Sequence, residues 1–281
     1  MSEFISFLPP PGQALNHYNA RERHAAQHKD VPEIFCDAMS VREEVFVEEQ
    51  KVPLENEFDL DDPRSFHWVA YASVGTRNTE QTSAAIDGAK KEDGVVEADG
   101  SGRKGSTANK LAVGTIRLVP PPHPPHPEPE SHHAIDNHEG VPKGAEPEAG
   151  PNPDVIYDGK EPYVKLGRLA VLPPFRGLGL SRLLIRAALS WISQNHEHVV
   201  PPLSPAAAEQ RRLELGHDPE HNVFRGLVLI HAQTTVEKVY LSHGFVKDES
   251  MGTWFEEGIE HIGMWKRVEL QPEGRRGSVQ M

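Results

Sequence analysis

Arg176, Gly177, Gly179 and Ser181 stand within a six-residue stretch that follows the apolar run Leu169-Ala170-Val171-Leu172 and the stop Pro173-Pro174. Glycines let a backbone turn tightly and bring its N–H groups close to a ligand. From Leu180 onward, Leu183, Leu184, Ala187, Ala188, Trp191 and Ile192 recur at helical spacing, with Arg182 and Arg186 off that face. A strand, a glycine turn and a helix start place unsatisfied backbone donors and a positive dipole end together, which suits a phosphate or pyrophosphate. Arg176 adds a charge to the same turn. Gly-rich strand–helix turns also occur purely to make the turn, so these residues alone point to anion binding with the bare turn as the alternative.

Other residues offer proton chemistry. Tyr240 falls on a short helical pattern, Val236 to Ser242, that Gly244 ends in C-cap position. A tyrosine of ordinary pKa about 10 is protonated at neutral pH and can donate to a leaving group, or it can simply fill a core. Glu48, Glu49, His231, Glu260 and His261 are the candidate bases. Four of them have a bland reading: Glu48 and Glu49 as the solvated end of a helix, His231 as a hydrogen-bonded core histidine, and His261 as a residue that only packs at a strand. The sequence does not choose among them.

Three look-alikes fail on context. Gly100-x-Gly102-x-x-Gly105 matches a dinucleotide pattern but follows no strand and opens no helix. His217-Asp218-Pro219-Glu220-His221 imitates an inverted zinc-protease motif, yet Pro219 obstructs the helix that would align the histidines. His123, His126, His132, His133 and His138 lie in a Pro-rich stretch without an ordering scaffold and read as composition; no metal is expected.

The elements that must position these groups are interrupted. Pro32 to Val47 has the apolar spacing of a helix. Phe66 to Ala72 and Leu111 to Val119 read as a hairpin with an overgrown turn, and Tyr163 to Leu172 as a further strand. Leu227 to Ile230, Phe245 to Lys247 and Ile262 to Val268 complete the strands. Three stretches read as flexible insertions: about 75–110, rich in Gly, Ser and Thr; 120–162, rich in Pro, His and Glu and expected to be extended or disordered; and 199–222, opening with prolines. What remains amounts to one ordinary domain of about 137 residues within 31–270. Residues 1–30 form an N-terminal segment that could include a first strand, and 271–281 a tail.

Composition bounds the partners. The chain has 281 residues, a formal net charge of −13, 25 Pro and 23 Gly. Its hydrophobic share of 37% and mean hydropathy of −0.54 predict a core smaller than the sequence. A strongly acidic chain lacks the basic surface that displaces counterions from phosphates, so no nucleic-acid partner is expected; an amine substrate is compatible. Cys36, the lone cysteine, reads as a small core residue, and no apolar run is long enough to span a bilayer. The expected setting is intracellular and reducing, cytoplasmic with the nucleus also open, with no membrane partner.

The run Leu169 to Leu184, with Arg176-Gly177-Leu178-Gly179-Leu180-Ser181 at its centre, resembles the acyl-CoA signature of the GNAT superfamily, with Ser181 where Gly or Ala is usual. Val239-Tyr240-Leu241-Ser242-His243-Gly244-Phe245 resembles a downstream element of that family. Val41-Arg42-x-x-Val45-Phe46-Val47-Glu48-Glu49-Gln50, Ala232-Gln233 and Gly258-Ile259-Glu260-His261-Ile262-Gly263-Met264 are similar to its ElaA-like branch. The resemblance covers the core and none of the insertions. It implies an α/β (α+β) fold, the GNAT fold, with a mixed, largely antiparallel central sheet flanked by helices. It implies an N-acetyltransferase that moves an acetyl group from acetyl-CoA, its cosubstrate, to a primary amine by direct attack in a ternary complex. Leu169, Ala170, Val171 and Leu172 would bind the pantetheine arm through their backbone. Amides of Gly177, Leu178, Gly179, Leu180 and Ser181, with Arg176, would hold the pyrophosphate; Gln233 is carried over as a cofactor contact. Tyr240 would return a proton to the departing sulfur as general acid. The acceptor would be a small-molecule amine, a protein lysine or an N-terminal amine, and a homodimer is possible. Two alternatives stand beside this: a CoA-binding regulatory module without turnover, and a longer acyl-CoA, since the Arg42-x-x-Val45-Phe46 element is also similar to acyl-homoserine lactone synthases.

Overall fold

Alternate residues of the strand Phe66–Val74 (β2) face two different cores. Trp68, Ala70 and Ala72 turn to one side of the sheet, Val69 and Tyr71 to the other. That period of two is what a strand buried on both faces requires. The helix Leu180–Val199 (α2) covers the first side with Leu184, Ile185, Ala188 and Ile192, all fully buried. The helix Glu33–Arg42 (α1) covers the other, packing Ala38 and Val41 against Val69, Tyr71, Ala112 and Ala170. Helices therefore flank both faces of one sheet. This computed structural model describes residues 3–74, 109–133, 157, 161–200 and 223–272.

The other strands are Glu3–Leu8 (β1), Asn109–Val119 (β3), His132–His133 (β4), Val164–Val171 (β5), Leu227–Gln233 (β6), Val246–Lys247 (β7), Thr253–Glu256 (β8) and Ile259–Arg267 (β9). They run in the order β1-β2-β3-β5-β6-β9-β8-β4, with β7 also on β9. All pairings are antiparallel except β5 with β6 and β4 with β8. The expected mixed, largely antiparallel sheet between helices is the one observed. A third helix, Glu237–Leu241 (α3), ends at Gly244, whose φ of +77° supplies the left-handed cap.

Several elements differ from the pattern-based reading. The helix expected over Pro32 to Val47 is α-helical only to Arg42; Glu43–Glu49 continues as a π-helix, with the Gln50 amide reaching Val45 O at 3.1 Å. Strand β8 was missed. It joins β9 through Glu257 and Gly258, both with positive φ (+49° and +77°), the two-residue turn that matches strand twist. Residues 120–133, read as open Pro-rich chain, are placed against the sheet. Prolines lack donors, but their carbonyls accept: Arg64 donates to Pro120 O at 2.5 Å and to Pro122 O at 2.7 Å. The Glu130 amide then bonds Thr253 O at 2.7 Å, which starts the β4–β8 pairing.

Candidate active site

Strands β5 and β6 share hydrogen bonds only from Val164↔Val228 to Leu166↔Ile230. Beyond that they part. On its other edge β5 pairs Gly167 with Arg117 and Ala170 with Thr115, so it carries one residue more than β3 across that interval. The extra residue is a β-bulge, and Arg168 within it takes a left-handed φ of +50°. A bulge beside a diverging strand opens a wedge in the sheet. A cavity of about 440 Å³ fills that wedge. Leu169, Ala170 and Val171 line it along the edge of β5 that has no β6 partner. Leu172 does not line it, and its amide is held by Val113 O at 2.9 Å.

The glycine turn closes one end. Gly177 (φ +78°) and Gly179 (φ +86°) are left-handed, and a Cβ on either would meet nothing within 4 Å, so conformation rather than space calls for glycine. Gly179 caps α2 with no side-chain hydrogen bond. The first amides of this helix, which runs regularly to a kink at Asn195, have no side-chain cap, and a Cβ-free approach leads to them. Gly177, Gly179, Leu180 and Ser181 line the cavity, whereas Leu178 is exposed and does not. Arg176 also lines it, with its guanidinium on Glu49 in a two-pronged pair. That hydrogen bond holds the Glu49 carboxyl below its usual range against slight desolvation. Val171 O takes Arg176 Nε at 2.9 Å, fixing the side chain over the mouth.

The π-helical segment supplies the facing wall through Val45, Phe46 and Glu49, continued by its C-cap Gln50. Gln50 and Gln233 exchange a side-chain hydrogen bond of 2.9 Å, tying that wall to the end of β6. Tyr240 lines the cavity from α3 and is otherwise buried, with its ring edge-on to Phe245 at 5.7 Å. Burial raises its pKa above the ordinary tyrosine value, so it stays protonated across the neutral range.

His231 and His261 meet a residue that the sequence reading missed. Glu256 Oε1 sits 3.1 Å from His231 Nδ1 and accepts from Trp254 Nε1 at 2.8 Å. His261 Nε2 lies 4.0 Å from Glu256 Oε2, and its Nδ1 is 2.8 Å from Ile259 O. All three line the cavity. Strand alternation separates the other candidates: Ile259 and His261 face the cavity, and Glu260 between them does not line it. Glu48 is exposed on the π-helical segment and does not line it either. Glu256 was legible only through the missed β8–β9 hairpin, where Trp254 and Glu256 alternate onto one face.

A second missed group is a buried ionic cluster behind the bulge. Arg42, 1% exposed, donates to Glu57 Oε1 at 2.5 Å and to Asp62 Oδ1 at 2.7 Å. Arg117 bonds Asp59 and Asp62, and Arg168 bonds Asp59 at 2.8 Å. Burial alone pushes the Asp62 carboxyl up, but Arg42 and Arg117 beside it hold it well below the usual carboxylate range. Glu57, Asp61, Arg117, Lys165 and Arg168 line the cavity. The available signal was charge inside otherwise apolar strands, at Arg117 and Arg168, together with the acids of Glu57-Phe58-Asp59-Leu60-Asp61-Asp62.

The remaining sequence signals are dispersed. His123 and His126 stack on Tyr163, and His132 stacks on Phe255. Among the described residues, the group of three side chains close enough to share an ion is His17, His28 and Asp30, all exposed and none lining the cavity. Cys36 is buried among Leu15, Val31, Phe35 and Met39, and burial pushes its thiol up to about 11. His138, the Gly100 pattern and the His217 motif lie outside the described residues. Among the described residues no helix is long and apolar enough to cross a membrane.

No family model and no curated protein matches the chain. Among solved structures, it is similar to an acyl-CoA N-acyltransferase from Pseudomonas aeruginosa, at 19% identity over 94% of this chain and 99% of that one, with a TM-score of 0.42. It is similar to Escherichia coli ElaA at 15% identity over 95% of this chain and 100% of that one, TM-score 0.40. A CoA-dependent acyl-homoserine lactone synthase, BjaI, is similar at 14% identity over 95% and 84% of the two chains, TM-score 0.44.

Proposed function

We propose that the chain is a GNAT-type N-acyltransferase that moves an acetyl group from acetyl-CoA to a primary amine by direct attack in a ternary complex. The observation that carries this reading is the joining of two features in one cavity. A bulged β5 edge without a strand partner runs straight into a glycine turn and a helix start with no side-chain cap. The first offers backbone groups to an extended, amide-bearing arm; the second offers amides to a pyrophosphate. CoA has both parts in sequence, the pyrophosphate joined directly to the amide-bearing pantetheine arm.

The chemistry at the inner end follows from Tyr240, His231 and Glu256. His231 takes the proton of the attacking amine, and Glu256, at 3.1 Å, orients the ring and balances the charge it gains. The nitrogen forms a bond to the thioester carbonyl carbon, the carbon–sulfur bond breaks, and the electron pair leaves on sulfur. Tyr240 donates its O–H hydrogen bond to that sulfur. Its raised pKa keeps the proton available at neutral pH while making it a reluctant acid, so stabilisation of the thiolate is its main part. Glu49, His261, Glu48 and Glu260 are not given the base role. Glu49 is engaged by Arg176, Glu48 and Glu260 do not line the cavity, and His261 stands 4.0 Å from Glu256 against 3.1 Å for His231.

A screen of small primary amines, lysine peptides and peptide N-termini for thiol release from acetyl-CoA tests this. At least one class should accelerate release and appear as its N-acetyl product by mass spectrometry. If none does, with acetyl-CoA bound, the transfer reading falls.

A further inference from the structure

Glu57 is fully buried at the cavity wall, and its two carboxylate oxygens are treated differently. Oε1 accepts from Arg42 Nε at 2.5 Å and lies 3.4 Å from Arg168 Nε. The Glu57 backbone carbonyl takes a further N–H of Arg42. Oε2 is buried and has no hydrogen-bond partner among the described residues. The neighbouring carboxylates are filled: Asp59 holds Arg117 and Arg168, while Asp62 holds Arg42, Arg117 and the Asp59 amide. Arg117 Nε and Arg168 Nε are, like Oε2, buried without a hydrogen-bond partner among the described residues, on guanidiniums already held by Asp59. Glu57, Asp59 and Asp62 face Arg42, Arg117 and Arg168, three carboxylates against three guanidiniums. The charges balance already, so what Oε2 lacks is a hydrogen-bond donor. A buried acceptor left so is costly unless something fills it.

The same loop reaches the acid–base group. Asn56 Nδ2 donates to Glu257 Oε1 at 2.6 Å, which sets the Glu57 loop against the strand end that carries Glu256. Glu57 in the arginine network and His231 on Glu256 are thus two polar stations in one cavity. The nitrogen that meets His231 leaves Glu57 to a second group on the same molecule. We propose that Glu57 determines acceptor specificity, its Oε2 accepting a hydrogen bond from a second donor of the acceptor. The substrate class is then a primary amine bearing an ammonium or hydroxyl group several bonds from the reacting nitrogen. This rests on the acyltransferase reading, which places the amine beside His231.

Glu57→Gln is the informative substitution. Arg42 Nε requires an oxygen at the Oε1 position, so the amide NH₂ falls where Oε2 was and turns an acceptor into a donor. The test is calorimetry on the full chain loaded with CoA, titrated with butylamine, aminobutanol and putrescine. Putrescine, with or without aminobutanol, should bind roughly tenfold tighter than butylamine, and the gap should close in Glu57→Gln with CoA affinity unchanged. Tighter binding of both identifies a general hydrogen-bond donor; of putrescine alone, an ammonium. Equal binding of the three to the wild type, binding of none, or a gap that survives Glu57→Gln overturns the proposal. The wild-type comparison decides alone if the variant does not fold. CoA loading is measured first: its failure counts against the acyl-CoA reading, and the same titrations on the unloaded chain still decide the role of Glu57.

Discussion

Arg176 and Glu49 meet in a two-pronged ion pair, Nη1 to Oε1 at 2.8 Å and Nη2 to Oε2 at 2.5 Å, across 127 residues of sequence. The pair joins the glycine turn to the π-helical wall, at the mouth of the cavity. Both side chains are about two-fifths exposed, at 44% and 40%, so their contribution to stability is small, within about 1 kcal/mol. On the proposed acyl-CoA reading their contribution to binding is larger, because a pyrophosphate at the helix start would compete with Glu49 for the same guanidinium. Glu49→Gln should leave the melting temperature nearly unchanged and tighten acetyl-CoA binding several-fold at low salt. Arg176→Ala should weaken it roughly tenfold. Titration calorimetry at two salt concentrations reads both, and a Glu49→Gln variant that binds more weakly would refute the competition.

Tyr240→Phe and Glu256→Gln separate the two halves of the proton chemistry. Each should lower kcat for acetyl transfer by roughly 10²-fold or more, with acetyl-CoA affinity held within about twofold. Glu256→Gln also tests orientation, since glutamine keeps the size of the side chain next to His231 Nδ1 but not its charge. Unchanged turnover in either variant would remove that residue from the mechanism.

Stability should fall with acid at a predictable place. Burial lowers the His67 pKa to about 4 from 6.5, even though Asp62 beside it pulls the other way. In the unfolded chain the ring takes up a proton as pH falls below about 6.5, while in the folded chain it does so only near 4. The unfolded state thus binds more protons in that window, and folding loses up to something on the order of 3 kcal/mol from pH 7 to pH 4 through this group. Urea unfolding midpoints across that range should show the slope, and His67→Gln should flatten it. A slope that persists in the variant would place the sensitivity elsewhere.

The helix behind the glycine turn should be anchored by its apolar face. Leu184 is fully buried, and its Cδ1 stands 3.1 Å from where a Cβ on Gly114 would be. Leu184→Ala leaves a cavity under α2 and should cost roughly 2–5 kcal/mol by denaturant unfolding. The surface change Arg182→Ala on the same helix should cost less than about 0.5 kcal/mol.

These expectations show where pattern sufficed. Leu183, Leu184, Ala187 and Ala188 repeat at helical spacing, and Phe66 to Ala72 alternates onto two cores, so α2 and β2 are written locally. Gly177 and Gly179 stand where left-handed backbone is needed. What stayed hidden depended on partners remote in sequence. Arg42 looks like an ordinary charge on an amphipathic helix until Glu57 and Asp62 close over it. Glu256 gains meaning from His231, 25 residues away and on β6, with β9 between their two strands. The π-helical shift after Arg42 has no period of its own in seven residues, so it read as more α-helix. Proline content concealed the placement of 120–133, because carbonyls that accept from Arg64 leave no mark in hydropathy.

The wedge between β5 and β6, continued by the Arg176–Ser181 turn, is the proposed CoA site. Calorimetry of the full chain with acetyl-CoA tests it most directly. Saturable one-to-one binding in the micromolar range, weakened at least roughly tenfold when Gly179→Val strains the left-handed turn, is the predicted result. No heat of binding at millimolar acetyl-CoA, or an affinity indifferent to Gly179→Val in a folded variant, would contradict it.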